Sequence, residues 1–199
     1  MTESPPEVAT LSAKQSERRQ RVIEAAMALA EEGGYDAVQM RDVAARADVA
    51  LGTVYRYFSS KDQMLAAAFA EWAAELEGRL RRRPLQGGTR AERAVDFLRR
   101  ATRNLERRPK LAGALVTSVA APDPRAAQDQ RRMASWMTRI LAEALDGLPS
   151  DEQQGIREVL GHVWYSVLLA WVNGRFRIDE VYTDLDMACH LLLDPREFV

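Results

Sequence analysis

Apolar residues recur at three- and four-residue steps through most of the chain, the period of amphipathic helices. Val22, Ala25, Ala26 and Leu29 give one such stripe and predict a first helix over about Lys14–Glu32. Gly33–Gly34 stops it, because glycine readily takes the left-handed helix cap. Two short helices follow, about Arg41–Ala47 and Leu51–Phe58, separated by the break Asp48–Val49–Ala50. Ser59 or Ser60 can cap a fourth, running to about Arg83. Further helices are predicted over about Arg90–Arg107, Lys110–Ala120, Pro124–Leu145, Asp151–Gly174 and Ile178–Leu193. Prolines and glycines mark the joints between them, and no alternating run is long enough to predict a strand. The expectation is an all-α fold of about nine helices, with a lead-in at residues 1–13 that carries Pro5–Pro6 and reads as disordered.

The two short helices have the layout of a helix-turn-helix. Their crossing demands small residues, which Ala44 and Ala47 supply. Val43, Val49, Val54 and Phe58 can form the shared apolar contact. Thr53, Tyr55, Arg56 and Tyr57 are left to offer hydroxyls and a guanidinium to DNA phosphates and base edges. Lys61 begins the next helix, where an ammonium and free N–H groups favour a phosphate. Core packing is the competing role for the aromatic residues of such a helix, Phe58 above all.

Composition and charge narrow the function. Of 199 residues, 47% are hydrophobic and 29% charged, the balance of a globular protein. The formal net charge is −1, so a blanket-basic nucleic-acid or membrane-surface protein is excluded. Basic residues instead cluster locally: Lys14, Arg18, Arg19 and Arg21 stand against Glu17 alone at the start of the first helix. A single cysteine, Cys189, rules out an intramolecular disulfide and a Cys-based metal site. The two histidines, His162 and His190, do not make a metal site, and none is expected. No P-loop, dinucleotide glycine pattern or paired carboxylates suggest a cofactor or an enzyme. No apolar run approaches the about 20 residues of a membrane span. The N-terminal stretch has no apolar signal core, so a cytoplasmic setting is expected.

The order of residues carries more than their composition. Gly34–Lys61 reads GYDAVQMRDVAARADVALGTVYRYFSSK, which closely resembles the DNA-binding region of the TetR family of bacterial regulators. The resemblance covers about residues 15–65 strongly. It implies a helix-turn-helix DNA-binding domain over 14–60 and a ligand-binding and dimerisation domain over 61–199, together a dimeric, effector-released repressor on a palindromic DNA operator. It implies a base contact from Arg41, the N-cap position for Gln39, and phosphate contacts from Thr53, Tyr55 and Tyr57, with Gly52 in the same run. Arg56 is the side chain most free to read bases, Lys61 resembles a phosphate clamp, and Arg18 flanks the DNA face. Asp48 stands where the family usually has glycine; aspartate tolerates the left-handed conformation better than most residues.

The remainder of the chain reads as a sensor. Its last two helices carry long apolar stripes, and the resemblance implies that they pair across a two-fold axis to form a homodimer, with Val163, Val167, Leu185, Ala188 and Leu192 in the interface. Candidate pocket walls are Phe97, Leu105, Leu115, Val119, Trp136, Ile140, Trp164 and Trp171, for which core packing is the alternative role. No polar constellation among them points to a small charged effector, so a mostly apolar one is expected. A narrower resemblance joins the head segments around Arg41 and Tyr55 to Val163–Trp171, and matches the family branch that represses sterol-catabolism genes in actinobacteria. It implies a sterol-derived acyl-CoA effector. Regulators of lipid or efflux genes answering to another hydrophobic molecule are the alternative, and the sequence does not separate a repressor from an activator.

Overall fold

The computed structural model describes residues 13–120, 139 and 141–194. The lead-in at 1–12, most of the helix expected at Pro124–Leu145, and the candidate pocket residues Trp136 and Ile140 lie outside these residues. Among the described residues every regular element is helical. In chain order they are α1 (Ala13–Gly33), a 3-10 turn (Tyr35–Ala37), α2 (Met40–Arg46), α3 (Leu51–Tyr57), α4 (Lys61–Arg81), α5 (Arg90–Glu106), α6 (Pro109–Ala120), α7 (Ser150–Val172) and α8 (Ile178–Leu193). Residues 141–144 are helical as well.

Local chemistry sets the boundaries. Gly34, at φ 77, takes the left-handed conformation that ends α1. Ser60, not Ser59, caps α4: its hydroxyl accepts from the Gln63 N–H at 3.1 Å. At α5, Thr89 Oγ1 accepts from the Glu92 N–H at 3.1 Å. The Glu92 carboxylate in turn accepts from the Thr89 and Gly88 N–H groups at 3.0 and 2.7 Å, a capping box that holds its pKa below the usual carboxylate value.

The first helices form a head. Val22, Ala25 and Ala26 of the predicted stripe are buried in α1, which packs on α2, α4 and α6; Leu29 is half-buried, and Ile23 and Ala30 join the buried face. Helix α4 is buried on nearly every side from Met64 to Ala70, which marks it as a central helix shared by head and body. Around it, α6 packs on α1 and α4, α7 packs on α6 and α8, and α5 packs on α8. One contiguous core joins them.

The head is tied to the body by polar contacts at the C-terminal end of α1. Lys110 Nζ on α6 donates to the Glu32 carbonyl at 2.8 Å. Arg108 pairs with Glu31 at 3.5 Å. Arg46 of α2 donates to the Glu32 carboxylate at 2.8 Å, holding that carboxyl below its ordinary pKa.

Candidate nucleic-acid interface and effector body

The crossing of α2 and α3 is built from the residues the spacing singled out. Val43, Val54 and Phe58 are buried, Val49 is half-buried, and Ala44 and Ala47 are small enough to let the backbones meet. Asp48 sits in the turn at φ 52, the left-handed conformation that glycine would take. Phe58 belongs to the core, so its role is packing.

What α3 leaves outside is polar or aromatic. Tyr55 is 53% exposed, Arg56 and Gly52 are exposed, and Thr53 and Tyr57 are half-buried. The Arg56 guanidinium lies 5.2 Å from the centre of the Tyr57 ring, which steers it along the helix surface. Arg41 is exposed on the first turn of α2. Gln39 occupies the N-cap of that helix, yet its side chain makes no capping bond. Its Nε2 instead donates back to the Asp36 carbonyl at 2.8 Å. Lys61 lies 3.8 Å above the Tyr35 ring and donates to the Tyr35 carbonyl at 3.4 Å. Periodicity gave Tyr35 and Asp62 no role, but Tyr35 holds Lys61, and its hydroxyl donates to the Asp62 carboxylate. Burial and that bond raise the Tyr35 pKa to about 12.

The basic run at the start of α1 divides. Lys14 and Arg18 are exposed. Arg19 is not available in the same way: it pairs with Glu71 of α4 at 2.7 Å and covers the Phe58 ring at 5.2 Å. It is a strut between α1 and α4.

In the body, Phe97, Leu105, Leu115 and Trp164 are buried in the shared core, and Val119 and Trp171 pack against it half-buried. The Trp164 indole N–H donates to Thr102 Oγ1 at 2.9 Å, both groups buried. A cleft of about 380 Å³ lies elsewhere, at the head–body junction, lined by Tyr35, Lys110, Thr117 and Val172 among others and by none of those six residues.

The residues expected at the dimer interface differ in exposure. Leu185 and Val167 are 0% and 6% exposed and belong to the shared core. Ala188, Leu192 and Val163 are half-buried. The apolar side chains that stand outside on the same two helices are Val159, Met187 and Leu191, at 44%, 54% and 54% exposure. His162 is exposed beside Val163.

An all-helical head with a polar helix-turn-helix surface, sharing one core with a helical body, is the build of a one-component DNA-binding regulator. The chain belongs to the TetR family: residues 22–68 match the family described as "Bacterial regulatory proteins, tetR family", and residues 87–192 match "Tetracyclin repressor-like, C-terminal domain". It is a transcriptional regulator, not an enzyme. It is 38% identical to the HTH-type transcriptional repressor KstR of Mycolicibacterium smegmatis over 94% of this chain and 92% of that one. A TetR transcriptional regulator from Rhodococcus sp. RHA1 superposes with a TM-score of 0.83 at 31% identity, over 92% of this chain and 100% of that one. The fold is also shared, at a TM-score of 0.71 and 22% identity, with Thermus thermophilus FadR in complex with lauroyl-CoA, over 91% and 98% of the two chains. No helix among the described residues is long and apolar enough to cross a membrane.

Proposed function

We propose that the protein is a dimeric repressor that leaves its operator on binding a large hydrophobic acyl-CoA, with a sterol-derived thioester as the first choice. The observation that carries this reading is the 38% identity to a KstR repressor across the sensor half as well as the head. Residues 14–60 form the DNA-binding domain and 61–199 the ligand-binding and dimerisation domain.

Each protomer lays α3 in a major groove. Arg41 and Arg56 read base edges, since a guanidinium can bridge guanine O6 and N7. Gln39, Thr53, Tyr55, Tyr57 and Lys61 fix register on phosphates, with Gly52 allowing close approach and Arg18 adding a flanking charge. Two such heads on a two-fold axis reach successive grooves, about 34 Å apart, so the operator is palindromic. The effector's apolar part occupies the body near Phe97, Leu105, Leu115 and Trp164. Its arrival shifts α6, and Lys110 and Arg108 pass that shift to the end of α1. A coupling of about 1–3 kcal/mol changes operator affinity about 5- to 150-fold.

A fatty acyl-CoA is the second reading, favoured by the lauroyl-CoA carried on the same fold by the Thermus regulator. A gel shift with the DNA beside the protein's own gene tests both. Sequence-specific binding released by cholestenoyl-CoA supports the first reading, and release by palmitoyl-CoA alone selects the second. If the protein shows no sequence preference at moderate salt, the repressor role fails.

A further inference from the structure

Residues 79–108 hold eleven arginines against Glu92, Asp96 and Glu106, a local charge of +8 in a chain whose total is −1. The helix-turn-helix uses none of them. Several are consumed by structure: Arg99 pairs with Asp186 at 3.2 Å, Arg100 with Asp96 at 2.6 Å, and Arg108 with Glu31 at 3.5 Å. Arg103 and Arg107 are different. Arg103 is exposed on the last turn of α5 and Arg107 is exposed at its C-cap, and neither has an ion-pair partner among the described residues. Like charges at this spacing repel, and the contact that Arg103 makes, to the Tyr182 hydroxyl oxygen, leaves its charge unpaired.

With Arg100 and Asn104 they line a recess of about 120 Å³. Asn104 accepts from the Trp72 indole N–H through Oδ1 at 2.9 Å, which leaves its NH2 group to donate. Arg100 is fixed from behind by the carbonyls of Arg83 and Pro84, at 2.9 and 3.3 Å. Glu106, the nearby carboxylate on α5, is occupied by the Tyr182 hydroxyl at 2.7 Å. The lining therefore presents donors and positive charge with no acid in the wall. Its complement is a polyanion rich in acceptors, and guanidinium forks match phosphate oxygens.

The position of the recess separates two kinds of phosphate. Arg108 ties this end of α5 to Glu31, in the last turn of α1. Arg18, on the DNA-facing arm, lies thirteen residues earlier on that helix, about 20 Å away along its axis. A small polyphosphate fits this placement better than the operator backbone. The opposite face of α5 presents Phe97, Leu98, Ala101 and Leu105 to the apolar core, so a single helix divides a greasy interior from a cationic exterior.

We propose that Arg103 and Arg107, supported by Arg100 and Asn104, form a phosphate site for the nucleotide head of a coenzyme A thioester whose acyl part enters the body. This assignment rests on the acyl-CoA reading above, but its chemistry is tested with coenzyme A alone. Titrate the full-length protein calorimetrically with coenzyme A and with pantetheine, which lacks the phosphates. Repeat with the Arg103→Ala/Arg107→Ala pair, with the charge-keeping Arg103→Lys/Arg107→Lys pair, and with Arg177→Ala as a control at another exposed arginine. The expected result is salt-sensitive binding of coenzyme A, weakened at least tenfold in the alanine pair, partly restored in the lysine pair and unchanged in the control, with pantetheine indifferent to all three. Palmitoyl-CoA and cholestenoyl-CoA are then run in the operator gel shift. Coenzyme A bound at the arginines, with neither thioester releasing DNA, keeps the phosphate site and overturns the effector reading. Release by a thioester with affinity unchanged in the alanine pair keeps the effector reading and overturns the site. No binding of coenzyme A or of either thioester overturns both. Loss of operator affinity in the alanine pair with coenzyme A binding intact assigns the face to DNA and overturns the proposal.

Discussion

Lys61 holds its ammonium 3.8 Å from the centre of the Tyr35 ring, so the side chain matched to a phosphate clamp is aimed by a residue of the turn before α2. A cation over an aromatic face at a partly exposed site is worth about 0.5–1 kcal/mol. Lys61→Ala should weaken operator and random DNA alike and lower the salt slope of binding by about one. Tyr35→Leu should weaken both more mildly with the slope retained, because the charge stays but loses its support. Fluorescence anisotropy over a salt series measures both, and an unchanged slope in Lys61→Ala removes the clamp role.

Arg56 is the complementary case. Its guanidinium is exposed and leans on the Tyr57 ring, free to meet a base edge. Arg56→Ala should cost about 1–3 kcal/mol on the operator and much less on random DNA, which narrows the ratio between them. Equal losses on both sequences would make Arg56 a phosphate contact instead.

The head was legible because its constraints are local. Gly34 ends a helix, Ala44 and Ala47 let two helices cross, and Asp48 accepts a positive φ. Each follows from residues a few positions apart. The arm was only half legible, since sequence displays the charge of Arg19 but not Glu71, 52 residues away, which occupies it. The last helix was half legible for another reason. Apolar residues at 181, 185 and 189 make one stripe and those at 187 and 191 a second, and periodicity alone does not say which stripe the protomer keeps for itself. Packing against α5 and α7 decides it: Val181, Leu185 and Cys189 go inward.

That division predicts how two kinds of variant on α8 differ. Met187→Glu with Leu191→Glu places charge on the outward stripe, so it should convert a dimer into a folded monomer with little change in helix content. Leu185→Ala removes a fully buried side chain and should cost about 2–5 kcal/mol of protomer stability, with assembly retained below the melting temperature. Light scattering and thermal melts separate the effects. A dimer that survives both glutamates would move the interface off this stripe.

The bond from the Trp164 indole to Thr102 is a buried polar link between α5 and α7. Thr102→Val keeps the shape and strands a buried N–H, which costs about 1–3 kcal/mol. Thr102→Ser keeps an acceptor and should lose less. Chemical denaturation ranks the two, and a valine variant as stable as the parent would mean the indole finds another acceptor.

Cys189 reports on the integrity of the same region. It is fully buried, and that burial, with the Asp186 carboxylate second, pushes its thiol up to about 12. The thiolate is the reactive form, so the native protein should be nearly inert to a thiol-specific disulfide reagent at pH 8 and react fully once unfolded. The linkage has a definite sign. A thiol whose folded pKa lies above its unfolded one favours folding fully below about pH 9, and loses that contribution as pH rises toward 12. Tyr182, raised to about 12 by burial and by its bond to Glu106, acts in the same direction at the upper end of that range. Melting temperatures should therefore fall through alkaline pH, and Cys189→Ala should make the decline shallower. Rapid stoichiometric labelling of the native protein would show that α8 opens on its own, and would remove the premise that α5 and α7 hold this stripe shut.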